Sequence, residues 1–419
     1  MFKNWKLLKI FLLTLMLIYS LTPCILADDN NEILDDNSTI NSQIVETLET
    51  SSPETNLPDI NSRAAVVIDR ATNTILYGKK ETEHRKMAST TKIMTCLLVI
   101  ENCDLSETIE VSKKSAGTGG SRLGLKTGDK ITINDLLYGL MLCSGNDTAV
   151  ALAEHIGGSI EGFAEIMNNR AKELGLENTH FVTPHGLDAD EHYTTAYELA
   201  KLTNYALNNE IFAKIVGTKT YSVTINGYPK TISNTNELLG NLNGVYGVKT
   251  GFTNGANRCL VTACKRNNLD IICVVLGADT KKFRTQDSIK LIEYSFKTFT
   301  PVNVQELVNK KFEEWKHENI NCFEIIKGQT QNVELKINPL EYSTLPINNN
   351  SIKDLNILIN CKQILNAPVL KDSYLGKIEV YSGEEVLTSC DILLNCNILK
   401  KNMFDYFIEI LCSYRNQIN

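Results

Sequence analysis

The order of strand and helix patterns along residues 61–300 limits the possible folds of this chain more than any other feature. Apolar runs at 65–68 and 74–77, separated by a polar turn, predict a β-hairpin. Three more strand patterns lie far along the chain, at 245–249, 258–263 and 271–276. Helices are predicted between and after these groups, at 89–100, 132–142, 147–156, 163–174, 195–207 and 288–299. The pattern therefore predicts one mixed α/β domain over residues 61–300.

The chain after residue 300 has a different composition. Short β-like runs, many Asn residues and few helical periods predict a small β-rich domain over 301–396. The tail, 397–419, has the pattern of an amphipathic helix. One stripe of that helix would carry Leu399, Met403, Phe404, Phe407, Ile410, Leu411 and Tyr414. We interpret the tail as a membrane-surface helix, and the alternative is a terminal helix packed on its own domain.

The N-terminus has the pattern of a targeting segment. Lys3, Lys6 and Lys9 precede an apolar run that ends with the small residue Ala27. This pattern predicts a signal peptide over 1–27, and hence export, with a retained membrane anchor as the alternative. Residues 28–60 contain nine acidic residues and no Lys or Arg, which indicates a flexible acidic leader.

Charge and cysteine content exclude several classes of protein. A net charge of −7 and a pI near 5.6 argue against a nucleic-acid partner, which needs a basic face. The twelve cysteines are scattered and do not predict a disulfide framework. Two pairs have a spacing found in zinc sites, Cys259 with Cys264 and His180 with His185. Because no further ligand pattern accompanies them, we expect neither a metal nor a cofactor.

The first motif with catalytic potential is Ser89-Thr90-Thr91-Lys92 at the start of a predicted helix. Residues three apart lie on one helical face, so the Lys92 amine can reach the Ser89 hydroxyl. A serine hydroxyl becomes a good nucleophile only when a neighbouring base takes its proton. This spacing therefore suggests nucleophilic catalysis, although the motif alone occurs by chance in many chains.

Two further motifs follow in order. Ser144-Gly145-Asn146 lies between two predicted helices, and Lys249-Thr250-Gly251 ends a predicted strand, whose edge could lie beside a peptide. A second Lys-Thr-Gly, at 126–128, lies in a polar turn, and we interpret it as structural. The order Ser-x-x-Lys, Ser-x-Asn, Lys-Thr-Gly is the motif set of class A β-lactamases and penicillin-binding proteins.

With these motifs the chain resembles the low-molecular-mass penicillin-binding proteins, which are serine-type D-alanyl-D-alanine carboxypeptidases. The similarity includes segments 88–95, 144–147, 185–188 and 248–253. Met87 and Ala256-Asn257 depart from the family pattern without removing a reactive group. The resemblance implies a penicillin-binding-protein/β-lactamase-like catalytic domain with an antiparallel sheet and a helical cluster, followed by a small β domain and a C-terminal amphipathic helix.

The resemblance also implies three catalytic residues. Ser89 would attack the carbonyl of the penultimate D-Ala and form an acyl-enzyme. Lys92 would remove the Ser89 proton, and Ser144 would relay a proton to the leaving D-Ala. His185, which lies in a family-like segment, is expected to be structural and not a base.

The substrate-binding residues implied by the resemblance surround this trio. They are Asn146, Lys249, Thr250, Gly251, Phe252 and Arg284. The backbone N–H groups of Ser89 and Phe252 would form the oxyanion hole. Arg284 would anchor the terminal carboxylate of the substrate, and the alternative is an exposed arginine at a helix start.

The expected activity is removal of the terminal D-Ala from peptidoglycan pentapeptide stems, outside the cytoplasm, with β-lactams as covalent inhibitors. One alternative is a β-lactamase, which needs a deacylation base, and no such pattern is visible although Glu154, Glu161 and Glu165 exist. The other is a non-catalytic β-lactam or wall sensor, which the complete set of reactive residues disfavours.

Overall fold

The computed structural model of the chain describes residues 57–418. The predicted signal peptide and most of the predicted acidic leader lie outside the described residues. The described residues form two compact units, the first ending at Lys297 and the second beginning at Thr298. Within residues 57–418, no helix has both the length and the apolar character needed to cross a bilayer. No disulfide joins the eleven cysteines of this part of the chain.

A five-stranded antiparallel sheet forms the centre of the first unit. In chain order its strands are β1 (Ala64–Asp69), β2 (Ile75–Lys79), β7 (Val245–Thr253), β8 (Asn257–Arg266) and β9 (Leu269–Ala278). Their spatial order is β2-β1-β9-β8-β7, which leaves β7 at one edge. All six residues of β1 are buried between its two neighbours, which explains the continuous apolar run.

Helices and short hairpins occupy the chain between β2 and β7, and one helix follows β9. The helices are α1 (Lys92–Asn102), α2 (Lys113–Ala116), α3 (Ile133–Met141), α4 (Asn146–Gly157), α5 (Ile160–Glu173), α6 (Ala196–Leu207), α7 (Glu210–Val216) and α8 (Lys281–Thr298). The hairpins are β3 (Thr108–Glu110) with β4 (Lys130–Thr132), and β5 (Thr220–Ile225) with β6 (Tyr228–Ser233). Threonine caps define two predicted helix starts, because the Thr132 and Thr195 side chains accept free backbone N–H groups in the first turns of α3 and α6, those of Asp135 and Glu198. The mixed α/β class predicted from the sequence is confirmed.

The second unit is mainly β but contains one long helix. Its elements are β10 (Phe299–Asn303), α9 (Val304–Asn319), β11 (Glu324–Ile326), β12 (Leu335–Ile337), β13 (Thr344–Asn348), β14 (Leu355–Cys361), β15 (Ile364–Asn366), β16 (Tyr374–Ser382) and β17 (Glu385–Leu394). A four-stranded sheet has the order β12-β17-β16-β14. Helix α9 was not predicted from the sequence. Only Val304, Val308 and Phe312 of its sixteen residues are buried, so its apolar stripe is narrow and easily missed among charges.

The tail forms helix α10 (Met403–Ile418), as its pattern predicts. It begins later than the predicted segment 397–419, because Ile398 is fully buried and exchanges backbone hydrogen bonds with Val369. Among the side chains described in α10, six large apolar ones are more than 40% exposed, namely Met403, Phe404, Phe407, Ile408, Ile410 and Leu411. The helix therefore presents an apolar stripe to solvent.

Candidate active site

The Ser89 hydroxyl and the Lys92 amine meet at the start of α1. Ser89 lies in a 3-10 turn (Ala88–Thr91) that runs directly into the helix, and the Lys92 side chain is fully buried. Lys92 Nζ lies 2.8 Å from Ser89 Oγ, 2.7 Å from Asn146 Oδ1 and 3.0 Å from the His185 carbonyl oxygen. The three-residue spacing thus produces the contact expected from helix geometry.

The second motif occupies a tight connection between α3 and α4. Ser144 is buried and has φ +61°, a left-handed conformation that is uncommon for residues other than glycine. Asn146 opens α4, and its amide nitrogen donates to the Gly119 carbonyl at 2.8 Å, which orients its oxygen towards Lys92. Ser144 is therefore buried in the short connection that leads directly into Asn146, the residue that holds the lysine.

Asp147 anchors the loop opposite this connection. Its buried carboxylate accepts backbone N–H groups from three consecutive residues, Leu123, Gly124 and Leu125, at 2.7–3.0 Å. It also accepts from the Thr148 N–H in the first turn of α4. Such charge-assisted hydrogen bonds hold the loop against the helix that carries Asn146.

The third motif lies on the edge strand β7, beside the nucleophile. Lys249 and Thr250 are buried, Lys249 Nζ donates to the Thr250 carbonyl at 3.0 Å, and the Thr250 hydroxyl pairs with Thr235 at 2.7 Å. A Cβ placed on Gly251 would lie 3.0 Å from the Ser89 backbone nitrogen. Glycine therefore permits the close approach of β7 to the turn that carries Ser89.

A cavity of about 260 Å³ opens above Ser89. Its lining residues are Ser89, Gly120, Ser121, Asn146, Leu187, Asp188, Phe252, Thr253 and Asn254. Three of the residues predicted from the sequence, Ser89, Asn146 and Phe252, thus share one cavity. The Phe252 ring lies against the guanidinium of Arg258, 3.8 Å from its centroid, and this contact fixes the end of β7.

Two residues contact the 3-10 turn that carries Ser89, namely Gly186 by close backbone packing and His192 by a hydrogen bond. Gly186 has φ +85°, and a Cβ on it would lie only 1.9 Å from the Ala88 carbonyl oxygen. His192 Nδ1 accepts the Val182 N–H, so Nε2 carries the proton and donates to Thr91 Oγ1 at 2.8 Å. His192 is absent from the residues expected from sequence, because no local pattern links positions 101 residues apart.

Both histidines near the site are held neutral. Burial lowers the pKa of His185 to about 3. Burial also lowers the pKa of His192 to about 4. A group with so low a pKa is a poor base near neutrality, so His185 fits a structural role.

Arg284 does not line this cavity. It is buried in α8 and pairs with Glu237, so the alternative of an exposed arginine was wrong. A substrate carboxylate would have to share its guanidinium with Glu237.

The second Lys-Thr-Gly ends in a turn, where Gly128 has φ +85° with open space around it.

A sequence model of a protein family, described as D-alanyl-D-alanine carboxypeptidase, matches residues 49–280, which is more than half of the chain. The chain belongs to this family. It is 34% identical to the D-alanyl-D-alanine carboxypeptidase DacF of Bacillus subtilis (strain 168), over 83% of this chain and 88% of the relative. It is 31% identical to DacD of Escherichia coli (strain K12), over 84% and 91% of the two chains.

Solved structures extend this comparison. Penicillin binding protein 5 from Haemophilus influenzae matches with a TM-score of 0.67 and 25% identity, covering 83% of this chain and 100% of that one. The Streptomyces K15 DD-transpeptidase matches with a TM-score of 0.55 and 34% identity, covering 57% of this chain and 99% of that one. The penicillin-binding fold expected from the resemblance is thereby confirmed.

Proposed function

We propose that this protein is a serine D-alanyl-D-alanine carboxypeptidase that removes the terminal D-Ala of peptidoglycan pentapeptide stems through an acyl-enzyme on Ser89. The observation that carries the proposal is the buried Lys92 amine, 2.8 Å from the Ser89 hydroxyl. Membership of the family named for this activity supports it. β-Lactams would acylate the same hydroxyl and act as inhibitors.

Proton transfer begins at the Lys92 amine. A neutral amine has two N–H donors and one lone pair. The Asn146 side-chain oxygen and the His185 carbonyl can accept the two N–H groups, at 2.7 and 3.0 Å, which leaves the lone pair for the Ser89 proton. The contacts around Nζ thus suit a base that takes the proton as Ser89 attacks the substrate carbonyl.

The developing oxyanion would be held by backbone N–H groups. Gly251 lies close to the Ser89 nitrogen, and the next residue, Phe252, lines the same cavity as Ser89, so the N–H groups of Ser89 and Phe252 would be the two donors. Each donor of this kind is typically worth about 3–4 kcal/mol in the transition state. Ser144 would pass the proton to the leaving D-Ala, with Lys249 supplying positive charge for the substrate carboxylate.

Hydrolysis of β-lactams as a main activity is less well supported. Such an enzyme needs a carboxylate near the acyl-enzyme to activate water, and none of Glu154, Glu161 and Glu165 lines the cavity. Asp188 does line it, but its two carboxylate oxygens accept hydrogen bonds from Thr253 and Gly255 and hold the β7–β8 turn. Glu154 instead accepts the hydroxyl of Ser112 at 2.6 Å.

The proposal is tested with diacetyl-Lys-D-Ala-D-Ala. The purified protein should release D-Ala, and Ser89→Ala should abolish both this release and covalent penicillin labelling. Lys249→Ala should lower kcat/KM strongly, whereas Lys126→Ala, in the second Lys-Thr-Gly, serves as the matched control and should leave it unchanged. Rapid penicillin turnover without D-Ala release would instead favour a β-lactamase, and labelling without turnover of either substrate would favour a sensor.

We further propose that the enzyme acts outside the cytoplasm, attached to the outer face of the cytoplasmic membrane by α10. The exposed Phe404 and Phe407 side chains of this helix support binding at a lipid interface. Truncation after Asn402 keeps Ile398 in place and should move the protein from membrane to soluble fractions. Phe404→Ser with Phe407→Ser should do the same, and Glu409→Gln is the control. An unchanged distribution of the truncated protein would count against the anchor.

A further inference from the structure

A second cavity lies beside the catalytic one in the first unit. Its volume is about 420 Å³, within the range of ligand sites. Its lining residues are Arg63, His84, Arg85, Lys86, Gly255, Ala256, Asn257 and Gly277. None of the residues assigned above to catalysis lines it.

Two chain segments, 253–256 and 86–89, each contribute lining residues to both cavities. Thr253 and Asn254 line the catalytic cavity, and the next two residues of the same β7–β8 turn line the second one. The Asp188 carboxylate holds this turn, accepting from the Thr253 hydroxyl at 2.8 Å and the Gly255 N–H at 2.9 Å. On the other side, Lys86 precedes Ser89 by three residues, so one continuous segment borders both cavities.

The second cavity is basic. Three of its described lining residues are cationic and none is acidic. Arg63 pairs with Asp279 at 3.1 Å and Arg85 with Glu83 at 2.7 Å, so these two charges are partly balanced. Lys86 forms no ion pair with any residue in 57–418, which leaves its charge to attract an anion.

The distance between the second cavity and Ser89 limits which anion of a bound peptide the cavity can bind. Three extended residues span at most about 10–11 Å, so Lys86 lies within that distance of the Ser89 backbone. A peptide bound at Ser89 covers the same distance in two to three residues on the amino-terminal side of the scissile bond. With its terminal carboxylate at Lys249, this peptide would run along β7 towards Thr253 and Asn254, where the strand leads into the second cavity. A carboxylate at that place in the peptide would therefore reach the cavity.

We propose that this basic cavity binds a carboxylate of the peptide substrate, located two to three residues before the reacting carbonyl, with Lys86 as its principal charge. The inference rests on the proposed carboxypeptidase function and adds a specificity site to it. A carboxylate paired with a half-buried ammonium gains a charge-assisted hydrogen bond, and the neutral carboxamide does not.

Two peptides that differ in one group test this site. Both are N-acetylated D-γ-glutamyl-(Nε-acetyl)-L-Lys-D-Ala-D-Ala, with the glutamyl α-carboxyl group free in one and amidated in the other. The wild-type protein should cleave the free acid with roughly tenfold higher kcat/KM, mainly through a lower KM. Lys86→Met should remove this preference while still cleaving the amide, and Lys86→Arg should retain it.

Controls separate this site from general effects of charge. Lys172→Met removes an exposed lysine of α5 that does not line the cavity, and it should keep the preference. The rate of penicillin acylation should be the same in Lys86→Met as in the wild type, which shows that the nucleophile turn is intact. Equal cleavage of the two peptides by the wild type, or a preference that persists in Lys86→Met, would overturn the inference alone. Absence of D-Ala release from both peptides would overturn the proposed function, and this inference with it.

Discussion

Replacement of Gly186 by alanine should disable Ser89 without unfolding the protein. The added Cβ would lie 1.9 Å from the Ala88 carbonyl oxygen, whereas real Cβ contacts are rarely below 3.0 Å. The nucleophile turn or the Gly186 segment must therefore move by about 1 Å, and a displacement of about 1 Å near a reacting group can cost roughly 100-fold in rate. We expect the rate constant for acylation by a fluorescent penicillin to fall at least that far.

Gly128→Ala is the matched control. Gly128 also has φ +85°, so both variants carry the same left-handed backbone strain of roughly 1–2 kcal/mol. A Cβ at Gly128 meets nothing within 4 Å, so only Gly186→Ala adds a steric contact. Acylation rates should be measured after urea unfolding shows that both variants are folded. If folded Gly186→Ala is acylated as fast as Gly128→Ala, the argument that Gly186 positions the nucleophile turn is wrong.

Three further changes test the energetics. Asp147→Asn should lower the free energy of unfolding, measured by urea titration, by about 2–4 kcal/mol, because a buried acceptor of several backbone N–H groups loses its charge. The control is Asp104→Asn, at an exposed turn, which should change this free energy little. His185 and His192 take up protons near pH 6.5 when unfolded but only near pH 3 and 4 when folded, so stability should fall as pH drops below 6.5, by about 2 kcal/mol per histidine at pH 5. A urea midpoint that is independent of pH over this range would contradict these pKa values. Phe312→Ala should destabilise the second unit by about 3–5 kcal/mol, and a small loss measured by thermal unfolding would mean that α9 contributes little to its core.

Local spacing explains why much of the fold and part of the site could be predicted from the sequence. The contact between Ser89 and Lys92 depends only on helix geometry within one turn, and the buried β1 strand depends on a continuous apolar run. The mixed α/β class follows from the order of such local patterns.

The remaining features depend on contacts between distant segments, which local patterns do not encode. The His192–Thr91 hydrogen bond joins residues 101 apart, and the burial of Arg284 depends on Glu237, 47 residues away. Helix α9 was missed because most of its residues are charged or polar and its buried stripe is narrow. In each case contacts between distant segments determined the structure more than local sequence preference did.

The position of β7 at the border of the sheet has a consequence for inhibitor design. Among residues 57–418 no strand pairs with its outer side, so an extended ligand can pair with backbone groups of this rim, whatever side chains that ligand carries. Compounds that rely on this rim alone should inhibit many related enzymes about equally. A compound selective for this protein needs chemistry that reaches side chains outside the shared backbone, such as the phenyl ring of Phe252, which lines the catalytic cavity.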